Sequence, residues 1–336
     1  MNKFAIRRNC SAGILASVAT VLSLAALLGA GTAAQAVELK AGYGLSHASH
    51  WGDATTAFAD KLGELSGGKF TVAHFPDSQL GSERAMVEGL QIGTIDIVLT
   101  STGPVGNFVP ETQVFDLPFI FRDYDHARAV QDGPIGQELL GKFDQAGIVA
   151  LAWGDAGFRH FTNNTRPVVT PADLAGIKHR TMENDAHILA FRTLSALPTP
   201  MAFTELYTSL QNGTLDGQEN PISVTISGKL YEVQKHMTLT GHALTNALVL
   251  TSQPLWDSLS DEEKGWFREA AKAASAALRA RVDSDDAAGV AFLREHGVEI
   301  VETVDREAFR AALEPAYENY RSQFGGELIE RITATP

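Results

Sequence analysis

The chain is poor in residues that staple, span or repeat. Of its 336 residues one is cysteine, Cys10, close to the N-terminus. Beyond it no disulfide and no thiolate metal site can form, so stability must come from burial. Apart from residues 14–28, no apolar run approaches a membrane span, and that run is itself short of the about 20 residues needed. There is no heptad array, no repeat period and no low-complexity tract. No Gly-x-Ser-x-Gly elbow, no His-Glu-x-x-His and no phosphate loop is present. Gly42-x-Gly44 follows a strand-like run, but the third glycine position of a dinucleotide fingerprint holds His47. His47 and His50 stand three apart without the cysteine or spaced histidine cluster that would complete a metal set. Positive charge is scarce: 27 Lys and Arg face 40 Asp and Glu, a net −13. Such a surface repels nucleic acid and anionic lipid.

What is present begins with an export leader. Lys3, Arg7 and Arg8 form a basic start, residues 14–28 are uncharged, and Ala34-Gln35-Ala36 is a small-x-small site, so cleavage is expected after Ala36. Arg7-Arg8 suggests twin-arginine export, but Asn9, Cys10 and Ser11 match poorly, and the general route is expected. Cys10 follows Arg-Arg-Asn, unlike a lipoprotein site. Losing those three basic residues takes the net charge from −13 to −16. An anionic ligand would then need a local positive site against the global field.

The mature part alternates strand and helix patterns. Residues 39–45 read as a strand, 51–65 as a helix with Ala54, Phe58, Leu62 and Leu65 on one face, and 70–75 as a strand. A helix over 82–92 stops at Gly93, and 95–100 is a buried strand before a Ser-Thr-Gly-Pro loop. This β-α-β-α-β order predicts α/β architecture with parallel strands. A second set follows: helix 135–146, strand 148–153, a turn at Pro171-Ala172-Asp173-Leu174, strand 177–181, helix 185–194, strand 199–201 and helix 204–211 with Thr204 as N-cap. Residues 239–252 read as two strands. Ser260-Asp261-Glu262-Glu263 is a capping box opening a helix from 261 to about 296, interrupted only by Gly289. That length is unusual within one compact domain and fits a spanning helix. A strand at 298–301 and helices over 305–332 complete the pattern. Two lobes with a cleft between them are predicted, lobe I from 37–156 plus 246–285 and lobe II from 157–245 plus 286–336, with loops at the carboxyl ends of the strands facing the cleft.

Several ordered segments carry a resemblance: Pro76-Asp77-Ser78-Gln79-Leu80-Gly81, Asp116-Leu117-Pro118-Phe119, Gly157-Phe158-Arg159, Leu174-Ala175-Gly176-Ile177-Lys178-His179-Arg180, and residues 200–221 with Asp216-Gly217-Gln218-Glu219-Asn220-Pro221. Together they resemble the TRAP-transporter solute-binding proteins of the DctP family over nearly all of the mature chain. The resemblance implies a periplasmic-binding-protein-like α/β fold of two domains, with crossing segments at a hinge and a long helix along the back. It implies periplasmic capture of a small organic acid, then delivery to the membrane subunits of a transporter driven by an ion gradient. A monomer is expected, with no cofactor. A receptor feeding a sensor kinase or chemoreceptor would look the same. A lyase or hydrolase acting on an organic acid would need a tuned general base in the cleft.

Arg180, at a strand end, matches the family arginine that holds the ligand carboxylate, a task suited to the two parallel N–H donors of a guanidinium. Arg159 matches a second arginine near the carboxylate, and is read as lying in a loop after strand 148–153. Asn220 can donate and accept, completing the carboxylate shell, and its place before Pro221 also suits a helix N-cap. Phe203 aligns with a family aromatic that packs on the ligand. Trp153, Ser101 and His50 lie at strand ends or in loops expected to reach the cleft. Glu219 is left out of the ligand shell because a bare carboxylate would repel an anion. Relatives that hold a cation carry an aromatic where this chain has Asn220, so no metal is expected.

Overall fold

The computed structural model describes residues 36–336. The expected leader, with Lys3, Arg7, Arg8 and Cys10, lies outside the described residues except for Ala36. Strand β1 (Val37–Tyr43), helix α1 (His50–Leu65), β2 (Phe70–Phe75), α2 (Glu83–Gln91) and β3 (Ile97–Ser101) form the parallel unit the pattern predicts, in spatial order β2-β1-β3. Ser49 and Ser82 cap the two helices, accepting from the backbone N–H of Gly52 and Ala85.

Helices α3 (Thr102–Val105), α4 (Tyr124–Asp132) and α5 (Pro134–Leu140) lead to β4 (Ile148–Asn163). The helix expected over 135–146 is α5 followed by a separate 3-10 turn, Phe143–Ala146. Next come β5 (Lys178–Thr181), α6 (Asp185–Thr193), β6 (Leu197–Pro200), α7 (Phe203–Gln211), β7 (Gly217–Pro221), α8 (Ile222–Ser227) and β8 (His236–Ser252). The chain ends with α9 (Gln253–Ser258), α10 (Asp261–Glu295), β9 (Glu299–Val301), α11 (Arg306–Ala312), α12 (Glu314–Phe324) and α13 (Gly326–Ala334).

All nine strands of the described residues join one mixed sheet, ordered β2-β1-β3-β8-β4-β7-β5-β6 with β9 on β8. Its centre is the antiparallel pair β4 and β8, 16 and 17 residues long. Both outrun the sequence pattern. β4 does not stop at Trp153, and 239–252 belongs to one strand rather than two. β4 passes through Asp155, a residue disfavoured in strands, because Arg128 donates to it at 2.8 and 3.1 Å and Arg279 lies 3.2 Å away. Arg159 therefore sits inside a strand, not in a loop after one. The pairing slips between Asp155 and Phe158 and again between Arg159 and Phe161. At the slip between Asp155 and Phe158, Gly157 has φ +112°, and a Cβ there would stand 2.8 Å from Pro221 Cβ, so only glycine lets β4 approach the end of β7.

The period of two in the strands divides the core between the sheet's faces. Ile97 and Leu99 join α1 and α10 through Phe58, Phe267 and Ala274, while Val98 joins Phe115, Phe121 and Trp153 on the other face. The expected capping box opens α10: Ser260 accepts from Glu263 N–H, and Glu263 accepts from Ser260 N–H at 2.7 Å. At 35 residues the helix is about 52 Å long. It passes unbroken through Gly289, where a Cβ would meet Ile222 Cγ2 at 2.1 Å. This glycine lets α8, which directly follows β7, lie against α10. Two expected caps are absent. Ala202 precedes α7, leaving Thr204 inside the helix, and the N-cap of α8 is Pro221, leaving Asn220 in β7.

Candidate functional site

The carboxyl ends of the parallel strands converge on one cavity, as expected for open α/β sheets. Gly44 and Leu45 follow β1, Ser101 ends β3, Arg180 and Met182 lie at the end of β5, and Asn220 lies at the end of β7. Glu83 opens α2 and Phe203 opens α7, while Arg159 and Thr245 enter from the central strands. Five of the residues singled out in the sequence thus line the same space: Arg180, Arg159, Asn220, Phe203 and Ser101.

The two arginines differ sharply. Arg180 is 2% exposed and forms no ion pair among the described residues. Its Nε donates to Met201 O at 2.9 Å, and its buried Nη1 has no partner. Burial, and then the charge of Arg159, lower its pKa to about 10, so it stays protonated at neutral pH. Arg159 is 1% exposed and engaged. Its Nε and Nη2 donate to the Glu219 carboxylate, the latter at 2.8 Å to Oε1, and Nη2 also donates to Glu219 O. Nη1 donates to Thr245 Oγ1 at 2.7 Å. These bonds leave one N–H on Nη1 beyond them.

Glu219 does not line the cavity. It is fully buried, with His187 Nδ1 at 3.5 Å and His242 Nε2 at 3.3 Å besides Arg159. Burial alone would raise its pKa, but Arg159 and His187 outweigh it and hold the carboxyl well below the ordinary range. Strand alternation separates Glu219 from its neighbours: Asn220 reaches the cavity and receives support from Gln218, whose Oε1 accepts from Asn220 Nδ2.

Two residues expected in the cleft are elsewhere. Trp153 is buried on Phe115 at 5.0 Å between centroids, and its Nε1 donates to Gly136 O at 2.9 Å. The slip in β4 between Asp155 and Phe158 separates it from Arg159, so their equal parity does not bring them to one side. His50 is buried beside Trp51, which lines the cavity, but does not line it itself. Glu83 was missed. Its Oε1 accepts from Thr100 Oγ1 at 2.8 Å and from Ser101 N and Oγ at 3.3 Å. An acid opening the helix after Pro76-Asp77-Ser78-Gln79-Leu80-Gly81 is a readable signal. Thr245 carries none, being one β-branched residue among many in β8.

Three histidines, His50 and His179 buried and His160 half-buried, shape the acid response. Burial first, and cationic neighbours second or later, depress His50, His160 and His179 to a pKa of about 3, against an ordinary 6.5. Between these values the unfolded chain binds protons that the folded one refuses, so stability falls as pH drops. Each pH unit across that window costs about 1.4 kcal/mol per histidine. Asp286, raised to about 6 mainly by burial, works the other way over a narrower range. Denaturation midpoints should decline steadily from pH 6.5 towards 4, and a flat profile there would contradict this burial.

The DctP model, bacterial extracellular solute-binding protein family 7, matches residues 41–323. A solved TRAP periplasmic solute-binding protein from Bordetella bronchispeptica, with density assigned as pantoate, is 54% identical. It superimposes with a TM-score of 0.88 over 89% of this chain and 99% of that one. A second, from Polaromonas sp. JS666 bound to D-erythronate, is 49% identical, with a TM-score of 0.88 over the same shares. The 2,3-diketo-L-gulonate-binding periplasmic protein YiaO of Escherichia coli K12 is 37% identical over 89% of this chain and 92% of its own length. A match of this extent, together with the shared mixed α/β fold and long helix, places the chain in the DctP family of bacterial extracellular solute-binding proteins.

Proposed function

We propose that this protein captures a small hydroxylated monocarboxylic acid in the periplasm, after leader cleavage at Ala36, and passes it as a monomer to the membrane subunits of a TRAP-type transporter. The observation that carries this reading is Arg180, a buried guanidinium that forms no ion pair among the described residues and whose Nη1 has no partner. A ligand carboxylate would supply the missing charge and meet the fork in plane. Asn220 and the remaining Arg159 N–H would assist, and Phe203 would pack on the carbon chain. His50 would act only through Trp51. Residues 37–156 with 246–285, and 157–245 with 286–336, would be the lobes that close on the ligand. Closure would exclude water and strengthen these contacts. The D-erythronate and 2,3-diketo-L-gulonate of the two relatives are hydroxylated acids of this class.

Glu83 would set the class. A carboxylate in the same cavity as Arg180 accepts from ligand hydroxyls and repels a second ligand carboxylate. Glu83→Gln should weaken D-erythronate and strengthen succinate, shifting their affinity ratio by about tenfold, the scale of one charged hydrogen bond. An unchanged ratio in competition binding would remove Glu83 from the selection.

The test is a thermal-shift screen on refolded protein against hydroxy acids, dicarboxylates, the corresponding amides and neutral sugars. Ligand at 1,000 times Kd stabilises by about 4 kcal/mol. A large shift with a hydroxy acid and none with its amide is expected. No shift with any acid, but turnover of one, would replace the reading with an enzymatic one.

A further inference from the structure

Neighbouring side chains of a strand face opposite ways. Arg159 reaches the solute cavity, while Phe158 and His160 line a second cleft with Arg122, Gly241, Asp286 and Arg306. This cleft measures about 250 Å³, and several donors converge on it. A Cβ placed on Gly241 would stand 3.9 Å from both Arg306 Nη2 and His160 Cε1, so the two side chains flank one point. His160 Nδ1 accepts from Gly241 N–H at 3.1 Å, which puts the ring proton on Nε2 as a donor.

Two of the cations here, Arg306 and Arg122, make no ion pair among the described residues. Arg306 spends one bond on Gly241 O, at 3.2 Å, and Arg122 donates to the carbonyls of Thr333 and Thr335 at 2.9 and 2.8 Å. Arg310, paired with Glu307 at 3.5 Å, shares the Phe119 ring with Arg306, and burial and Arg310 disfavour the charge on Arg306 more than Glu307 favours it. In a chain of net −13, two neighbouring arginines left out of ion pairs are poorly explained by the fold alone. The one carboxylate in the cleft, Asp286, accepts from Tyr124 Oη at 2.5 Å and leaves Oδ1 buried without a partner. Its pKa of about 6 lets it take up a proton near neutral pH and become a donor itself.

We propose that this cleft is a second binding site, for a small oxyanion of the phosphate or sulfate type, held by Arg306 and Arg122 with His160 Nε2–H as a further donor. It is independent of the solute cavity and of Arg180.

The test is a titration of the purified protein with inorganic phosphate, balanced with chloride at constant ionic strength, following the thermal midpoint and the His160 ring resonances. A saturable rise is expected in the wild type and in Arg180→Ala, with the His160 signals moving. Arg306→Gln should bind about tenfold more weakly, the scale of a charged hydrogen bond. Arg122→Gln serves as the second variant should Arg306→Gln not fold, and should weaken binding likewise. The site is overturned by an equal rise in all variants, which is general salting, or by a rise lost only in Arg180→Ala, which places phosphate in the solute cavity. It is also overturned by no rise, or by His160 signals that stay still.

Discussion

Arg180→Ala is expected to weaken acid binding by about 2–5 kcal/mol, the usual effect of truncating one partner of a buried charge pair. The size of this effect follows from what surrounds the residue. Arg180 is 2% exposed, bonded through Nε to Met201 O alone, with Nη1 buried and unpartnered. The unliganded fold already bears the cost of burying that charge, and a ligand carboxylate paired with it would offset that cost. Removing the guanidinium should therefore leave unliganded stability unchanged or higher while affinity collapses. Arg180→Lys should also weaken binding, since an ammonium cannot present the fork. Calorimetry on the three proteins checks this, and an alanine variant binding within threefold of wild type would remove Arg180 from the role.

Glu219→Ala should show the opposite pattern, losing about 3–5 kcal/mol of folding stability by leaving Arg159 as an uncompensated buried charge. Glu219 is wholly buried and ties Arg159 of β4 to His187 of α6 and His242 of β8. Loss of affinity should follow, because Arg159 lines the proposed solute cavity and is positioned by this carboxylate. Urea denaturation without ligand separates the two variants: Glu219→Ala unfolds early and Arg180→Ala does not. If both unfold alike, the division of labour between the arginines is wrong.

Much of this arrangement was legible in the sequence, and the rest has identifiable causes. The first parallel unit and the capped helix α10 rest on local signals, apolar periodicity and side-chain caps, and both form, although β1 lies two residues earlier than read and α10 is not broken at Gly289. The ends of β4 and β8 do not rest on local signals. β4 continues through Asp155 because Arg128 and Arg279, distant in sequence, neutralise it. The slip beside Gly157 then decides which side chains share the cavity, removing Trp153 and admitting Arg159. Asn220 reaches the site from a strand instead of a cap, because Pro221 is the N-cap of α8, whose first residue Ile222 packs against Gly289 of α10. Glu83 carried a readable signal, whereas Thr245 acquires its meaning only when β8 crosses β4.

The most direct measurement is a crystal structure of the refolded protein with D-erythronate, or whichever hydroxy acid the screen selects. The expected result is a ligand carboxylate coplanar with the Arg180 guanidinium, both oxygens within hydrogen-bond reach of its N–H groups, with hydroxyls directed to Glu83. A carboxylate held elsewhere, with Arg180 left unpaired, would contradict the account.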